Sequence, residues 1–197
     1  MSTLRIAIVE APLWGKEPGV ARLLESLLLA RYPEINFDFR LFDLHALADH
    51  ETTSQQTKRL IGHNPHLVFF CCEKVYPDDR ERLGEFLEHL PKKSHAITWL
   101  VKAPDLLFVK DTPAWEKHLS HGEWLSSHLL SDRMDFLGTS KRFDLVQQTQ
   151  IDRGGNLHSL HHGDETFTLF GQAVLAELLV EKVVAFFQEK MQRSLEE

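Results

Sequence analysis

The chain has 197 residues, 43% hydrophobic and 26% charged, with a net charge of -7. That is enough for one domain, residues 1–197, with a substantial core, and the wrong sign for a protein held to nucleic acid by phosphate neutralisation. No stretch reaches membrane-span length, and the opening MSTLRIAIVE lacks the basic region and small-residue cleavage site of a secretory signal.

Arg5 to Val9 is a nearly unbroken apolar run rich in branched residues, the pattern of a strand buried on both faces. Ala11-Pro12-Leu13-Trp14-Gly15 breaks it. Val20, Leu23, Leu24, Leu27 and Leu28 then follow a helical period, opened at Pro18 or Gly19 and closed by Pro33. Ile35, Phe37, Phe39 and Leu41 alternate with polar residues, which predicts a second strand near a sheet edge. Asp43 to Ser54 reads as a loop and Ser54 to Gly62 as a helix stopped by its glycine. His66 to Cys72 is another buried strand. Pro77-Asp78-Asp79 opens a helix that carries Leu83, Phe86, Leu87 and Leu90 on one face. Ala96 to Val101 is a strand that leaves through Lys102-Ala103-Pro104-Asp105.

Leu106 to Val109 reads as a short extension. Thr112 is the cap and Pro113 the first residue of a helix that continues or restarts through Leu130. A fifth strand falls at Met134 to Leu137 or at Phe143 to Val146. Asp152 to Asp164 is a loop with Gly154-Gly155. Thr168 caps a long apolar helix from Leu169 to Phe187, followed by a fraying polar tail. Strands alternating with helices predict a three-layer α/β/α fold. Its mostly parallel five-stranded sheet would have the flavodoxin-like order 2-1-3-4-5, with ligands at the carboxyl ends of the strands.

Phosphate-binding motifs do not fit. The loop after the first strand has no G-x-G-x-x-G, Gly15-Lys16-Glu17 departs from a P-loop, and no serine or threonine lies between Glu10 and Gly19. Mononucleotide binding is not expected, and no cofactor is assigned.

The ends of the chain resemble the SGNH (GDSL-type) hydrolase superfamily. Thr166-Phe167-Thr168-Leu169-Phe170-Gly171 follows that superfamily's phrase before its last helix, and Asn64-Pro65-His66-Leu67-Val68 its phrase before the third strand. The resemblance implies a hydrolase or acyl-transfer descent. By this register the catalytic letters are replaced. Glu10-Ala11-Pro12 stands for Gly-Asp-Ser, Cys71-Cys72-Glu73-Lys74 for Gly-x-Asn-Asp, Thr166 for the base histidine and Gly163 for its aspartate. Acyl transfer by the superfamily's route needs a hydroxyl, a base and preorganised donors, so either a degenerate member is expected or the resemblance belongs to the fold alone. A second resemblance, from Arg5 to Gly15, is to cobalamin-binding domains of radical SAM proteins. Neither the Asp-x-His-x-x-Gly ligand motif nor the Cys-x-x-x-Cys-x-x-Cys motif is present; Asp43-Leu44-His45 only echoes the first.

His158, His161 and His162 cluster beside Asp152, Asp164 and Glu165. Histidine with carboxylate suits zinc or non-haem iron and also acid–base chemistry near neutral pH. A polar surface loop is the plainer expectation, and no metal is assigned. His118 and His121, at i and i+3, are read as a solvated helix face rather than a metal pair, and His63 and His66 as structural. The only cysteines, Cys71 and Cys72, are adjacent, so a mutual disulfide would be strained. They point one to each face of the sheet as small hydrophobes, or one is a thiolate activated by Lys74 or His162. A reducing, cytoplasmic setting is expected.

The expected function is binding of a small-molecule ligand in the crevice, lined by Glu10, Trp14, Glu73, Lys74, Lys102 and His162. His162 and Asp164 are the candidate catalytic pair if ester hydrolysis or acyl transfer persists. The alternatives are a cobalamin- or metal-binding flavodoxin-like domain, or a non-catalytic interaction module. No nucleic-acid or membrane partner is expected, and the last helix could support a homo-oligomer.

Overall fold

The computed structural model describes residues 3–10, 19–43, 50–72, 77–108, 110–129, 131–156, 159–162 and 166–196; the side chains of residues 10, 43, 50–54, 72, 77–79, 82 and 191–196 lie outside that description. The elements in chain order are β1 (Leu4–Glu10), α1 (Gly19–Arg31), β2 (Phe37–Asp43), α2 (His50–His63), β3 (Leu67–Cys72), α3 (Pro77–Lys93) and β4 (Ile97–Lys102). A 3₁₀ turn, Asp105–Leu107, then leads to α4 (Pro113–Ser127), β5 (Met134–Leu137), α5 (Ser140–Asp152) and α6 (Leu169–Glu196).

The sheet has five strands in the order β2-β1-β3-β4-β5, and every neighbouring pair is parallel. Parallel pairing forces crossovers, and the helices of those crossovers cover both faces. Ile6, Ile8, Phe69, Cys71 and Val101 meet α1, α5 and α6 on one face. Ala7, Val9, Val68, Phe70 and Leu100 meet α2, α3 and α4 on the other. Strand alternation sends adjacent residues to opposite layers, so the apolar run of β1 is buried on both faces. β2 lies at the edge, and its Leu41 is 59% exposed.

Helical periodicity explains the layers. Val20, Leu24 and Leu28 of α1 are fully buried, and each such side chain contributes on the order of 1.5–3 kcal/mol. The first turn of α4 is set by Thr112, whose hydroxyl accepts from the Trp115 N–H, with Pro113 at the first helical position. Thr168 caps α6 in the same way, accepting from the Gly171 N–H at 3.1 Å.

Several boundaries differ from expectation. Gly62 does not end α2; the helix runs through His63, and Asn64 takes the left-handed conformation at φ 48° that closes it. That helix begins at His50, inside the stretch expected to be loop. α3 reaches Lys93 and tolerates Pro91 in its last turn. The fifth strand is Met134–Leu137; Phe143 to Val146 belongs to α5, an amphipathic helix in which four residues are too few to separate a helical period from a strand's. The polar tail does not fray: α6 continues to Glu196.

Candidate functional site

The carboxyl end of β4 carries a built polar cluster. Lys102 is the last residue of the strand, and its carbonyl accepts from the Thr139 hydroxyl at 2.7 Å, which ties β4 to the segment entering α5. Ala103-Pro104 turn the chain over the strand end. The Asp105 N–H then donates to Ser140 Oγ at 3.1 Å, in the first turn of α5. This fixed backbone aims the Asp105 carboxylate at α4.

Asp105 Oδ1 accepts two hydrogen bonds, from Lys102 Nζ at 3.0 Å and from His118 Nε2 at 2.7 Å. Against an ionised carboxylate, Nε2 must carry the hydrogen. The His118 side chain is 0% exposed, whereas the Asp105 side chain is 42% exposed. Phe108 stacks on the imidazole with ring centroids 4.1 Å apart, and Trp115 lies at 5.7 Å. The histidine is therefore a buried, oriented support, and the carboxylate is the group presented outward. Among the described residues, only Oδ1 accepts a hydrogen bond.

Burial alone would raise the Asp105 pKa. The hydrogen bonds from His118 and Lys102, and the charges behind them, outweigh burial and hold the carboxyl below its ordinary value. A carboxylate so stabilised stays ionised, accepts without donating, and is a weak base. Room for the lysine comes from Gly122 of α4: a Cβ there would meet Lys102 Cε at 3.1 Å and Nζ at 3.4 Å. A mid-helix glycine costs roughly 1 kcal/mol, and here it lets the Lys102 stem pass close against the helix.

The second feature is the turn that enters α6. His161 bridges antiparallel to Phe167, and the His162 N–H donates to the Thr166 carbonyl at 3.0 Å. Thr168 closes the turn, its N–H donating to the Leu160 carbonyl at 3.1 Å and its hydroxyl to the Ser159 carbonyl at 2.6 Å. Phe167 packs on Phe143 of α5 at 5.2 Å. The turn and the Asp105 cluster thus both lean on the first turn of α5. The His162 side chain is exposed.

Of the expected crevice residues, Lys102 sits in the cluster and His162 on the turn. Trp14, Glu73, Lys74 and Asp164 lie outside the described residues, as does the Glu10 side chain, although its backbone ends β1. His158 also lies outside them. Among the described residues, no group of three or more His, Cys, Asp or Glu is placed to hold a metal ion.

His118 and His121 are not a solvated face. They are 2% and 3% exposed, because they share a helix face with Gly122 and Leu125, at i, i+3, i+4 and i+7. That spacing is the signal by which the sequence could have placed His118 inward. Asp105 could have been noticed as the first acid beyond the end of β4. Cys71 is buried in the core as a small hydrophobe. His66 is structural, its Nδ1 accepting from the Arg5 N–H at 3.0 Å.

No family model matches the chain, and no curated protein matches it either. Solved structures do. The acetylxylan esterase Axe2 from Geobacillus stearothermophilus superposes with a TM-score of 0.67 at 12% identity, covering 91% of this chain and 94% of that one. Its catalytic mutants replace a serine, an aspartate and a histidine. LAE5, an alpha/beta hydrolase enzyme from the metagenome of Lake Arreo, Spain, superposes with a TM-score of 0.65 at 12% identity, covering 90% of this chain and 94% of its own. No helix among the described residues is long and apolar enough to cross a membrane. At these identities the likeness establishes the architecture: the chain has the α/β fold shared by Axe2 and LAE5.

Proposed function

We propose that this chain is a degenerate relative of the SGNH hydrolases that binds a small ligand at the carboxyl ends of its strands. The observation that carries the reading is the Lys102–Asp105–His118 cluster, which costs buried polar groups and a mid-helix glycine yet leaves the Asp105 side chain partly exposed. Buried polar networks are expensive unless fully satisfied, and pockets with a few convergent polar groups are where ligands are fixed. In this reading Asp105 Oδ2 accepts from a ligand hydroxyl or amine. Lys102 balances the carboxylate's charge, and His118 is its positioning residue. Glu10, Trp14, Glu73 and Lys74 complete the lining.

Where turnover persists, it is ester hydrolysis without the superfamily's serine. His162, with Asp164 to orient it, takes a proton from water as the water attacks the ester carbonyl, then returns it to the departing alkoxide. Asp105 is too weak a base for that task. Axe2, an acetylxylan esterase that shares the fold, motivates the substrate class. A cytoplasmic setting belongs to the same proposal, resting on the sparse, adjacent cysteines.

An ester panel of p-nitrophenyl acetate and acetylated oligosaccharides, run beside thermal-shift measurements on the same compounds, tests this. The reading expects ligand stabilisation that is lost in Asp105→Asn, and any turnover to vanish in His162→Ala with the fold intact. Stabilisation and turnover that survive both substitutions would refute it. The competing reading is an interaction module. Leu145, Leu169 and Phe170 are 65%, 58% and 40% exposed on α5 and the start of α6, which favours a homo-oligomer. Light scattering showing a stable complex, with no response to any ester, would select it.

A further inference from the structure

The opposite end of the sheet carries an apolar groove that the crevice chemistry does not use. Leu4 opens β1 and Phe37 opens β2, so the groove lies at the amino ends of the strands, about 20 Å from the crevice by the rise of β1. Leu28 comes from the last turn of α1, Tyr32 from just beyond it, Ile35 from the turn before β2, and Val183, Val184 and Phe187 from α6. Its volume is about 250 Å³, and Glu34 and Gln188 also line it.

The walls are almost wholly apolar. Water there finds few partners, and a preformed apolar cavity favours an apolar guest; a cavity of about 150 Å³ lined by such residues accepts benzene. The charged group at the mouth sets the polarity of that guest. Glu34 and Gln188 are both exposed. Arg31, the neighbouring base, is committed elsewhere: its guanidinium donates to both carboxylate oxygens of Glu177, at 2.6 and 2.8 Å. Among the residues that line the groove, Glu34 is the charged one, beside the Gln188 amide and the Tyr32 phenol.

We infer that this groove is a binding site for a small apolar molecule carrying an amine. Its hydrocarbon or aryl body lies among Leu28, Phe37, Val184 and Phe187, and its amine meets Glu34. A fatty-acid anion is disfavoured by the same carboxylate. The inference is independent of the crevice and of any ester chemistry there.

The test uses the full chain and the neutral dye N-phenylnaphthylamine, with decylamine and decanoate as competitors. Saturable fluorescence enhancement is expected, reversed by decylamine at a concentration about fivefold or more below that needed with decanoate. That ratio reflects attraction of the ammonium, and repulsion of the carboxylate, by a single exposed charge. Val184→Trp fills the groove and should abolish the enhancement with circular dichroism unchanged. Glu34→Gln, at an exposed position that does not threaten folding, should bring the two competitors to parity. Absent saturation, equal competition in the unsubstituted protein, enhancement that persists in a folded Val184→Trp, or a preference that survives Glu34→Gln would each overturn the assignment.

Discussion

Gly171→Ala tests the turn that presents His162. A Cβ on Gly171 would stand 2.1 Å from the Leu160 carbonyl oxygen and 2.9 Å from Phe167 Cδ1. The first neighbour is backbone, and it is already held by the Thr168 N–H at 3.1 Å, so it cannot swing aside as a side chain would. Relieving the contact means lifting the turn off α6. Overpacking of this kind costs about 1–3 kcal/mol, and weakening the Thr168 hydrogen bond adds about 1 kcal/mol. Alanine returns at most about 1 kcal/mol through helix propensity. The net expectation is destabilisation by about 2 kcal/mol, which for a chain this long lowers Tm by roughly 4–8 °C. Gly62→Ala is the matched control. Nothing lies within 4 Å of a Cβ at Gly62, so alanine should stabilise α2 by about 0.5 kcal/mol. Urea and thermal denaturation of both variants read the comparison. If Gly171→Ala proved as stable as the parent while Gly62→Ala gained stability, the turn does not press on α6 as described.

Other substitutions probe the remaining contacts. Phe143 is fully buried against Phe167, so Phe143→Ala should cost about 3–5 kcal/mol in denaturant titrations; a loss under about 1 kcal/mol would place the ring outside the core. The Asp105 carboxyl is held below its ordinary value despite burial. Its stabilising contribution is therefore complete above about pH 4 and disappears as pH falls through the folded-state pKa. Asp105→Asn should flatten that acid limb of the stability curve, and an unchanged limb would contradict the pairing with His118 and Lys102. His63 behaves in the opposite sense. Burial pushes its pKa down, and Arg40 and Arg5 push the same way, against Asp38 and the backbone contact at Ile6. The unfolded chain binds the proton first, so stability should drop as pH falls below about 6.5. Urea midpoints of His63→Gln at pH 7.5 and 5.5 should differ less than those of the parent; an equal difference would assign the slope elsewhere, His66 being the first alternative.

The architecture is legible in the sequence because its signals are local and redundant. The branched run Ile6 to Val9, the alternation of Phe37, Phe39 and Leu41, and the leucine period of α1 each specify an element and the face it buries. α5 is hard to read for an equally physical reason. Phe143 is its one fully buried side chain, and Leu145, at 65% exposure, lies outside the core, so its helical period is weakly marked. The end of α2 is ambiguous because Gly62 and Asn64 both suit a helix stop, and it is Asn64 that adopts the left-handed turn.

The candidate site is less legible because it is made by tertiary contact. Lys102 is marked by its position at a strand end. Asp105 acquires meaning only when the turn after Pro104 faces α4, and His118 only when the face it shares with Gly122 and Leu125 is known to be the inner one. Taken together, those placements change what the chain asks of its histidines. Twelve are present, and abundance alone suggests metal or acid–base work. His118 is enclosed by Phe108, Trp115 and Asp105, where it cannot reach a ligand before the carboxylate does. A serine esterase places the histidine between carboxylate and nucleophile. Here the carboxylate is outermost, so the same pair of groups serves recognition better than proton transfer, and in the proposed function any proton transfer is left to the exposed imidazole of His162 across the first turn of α5.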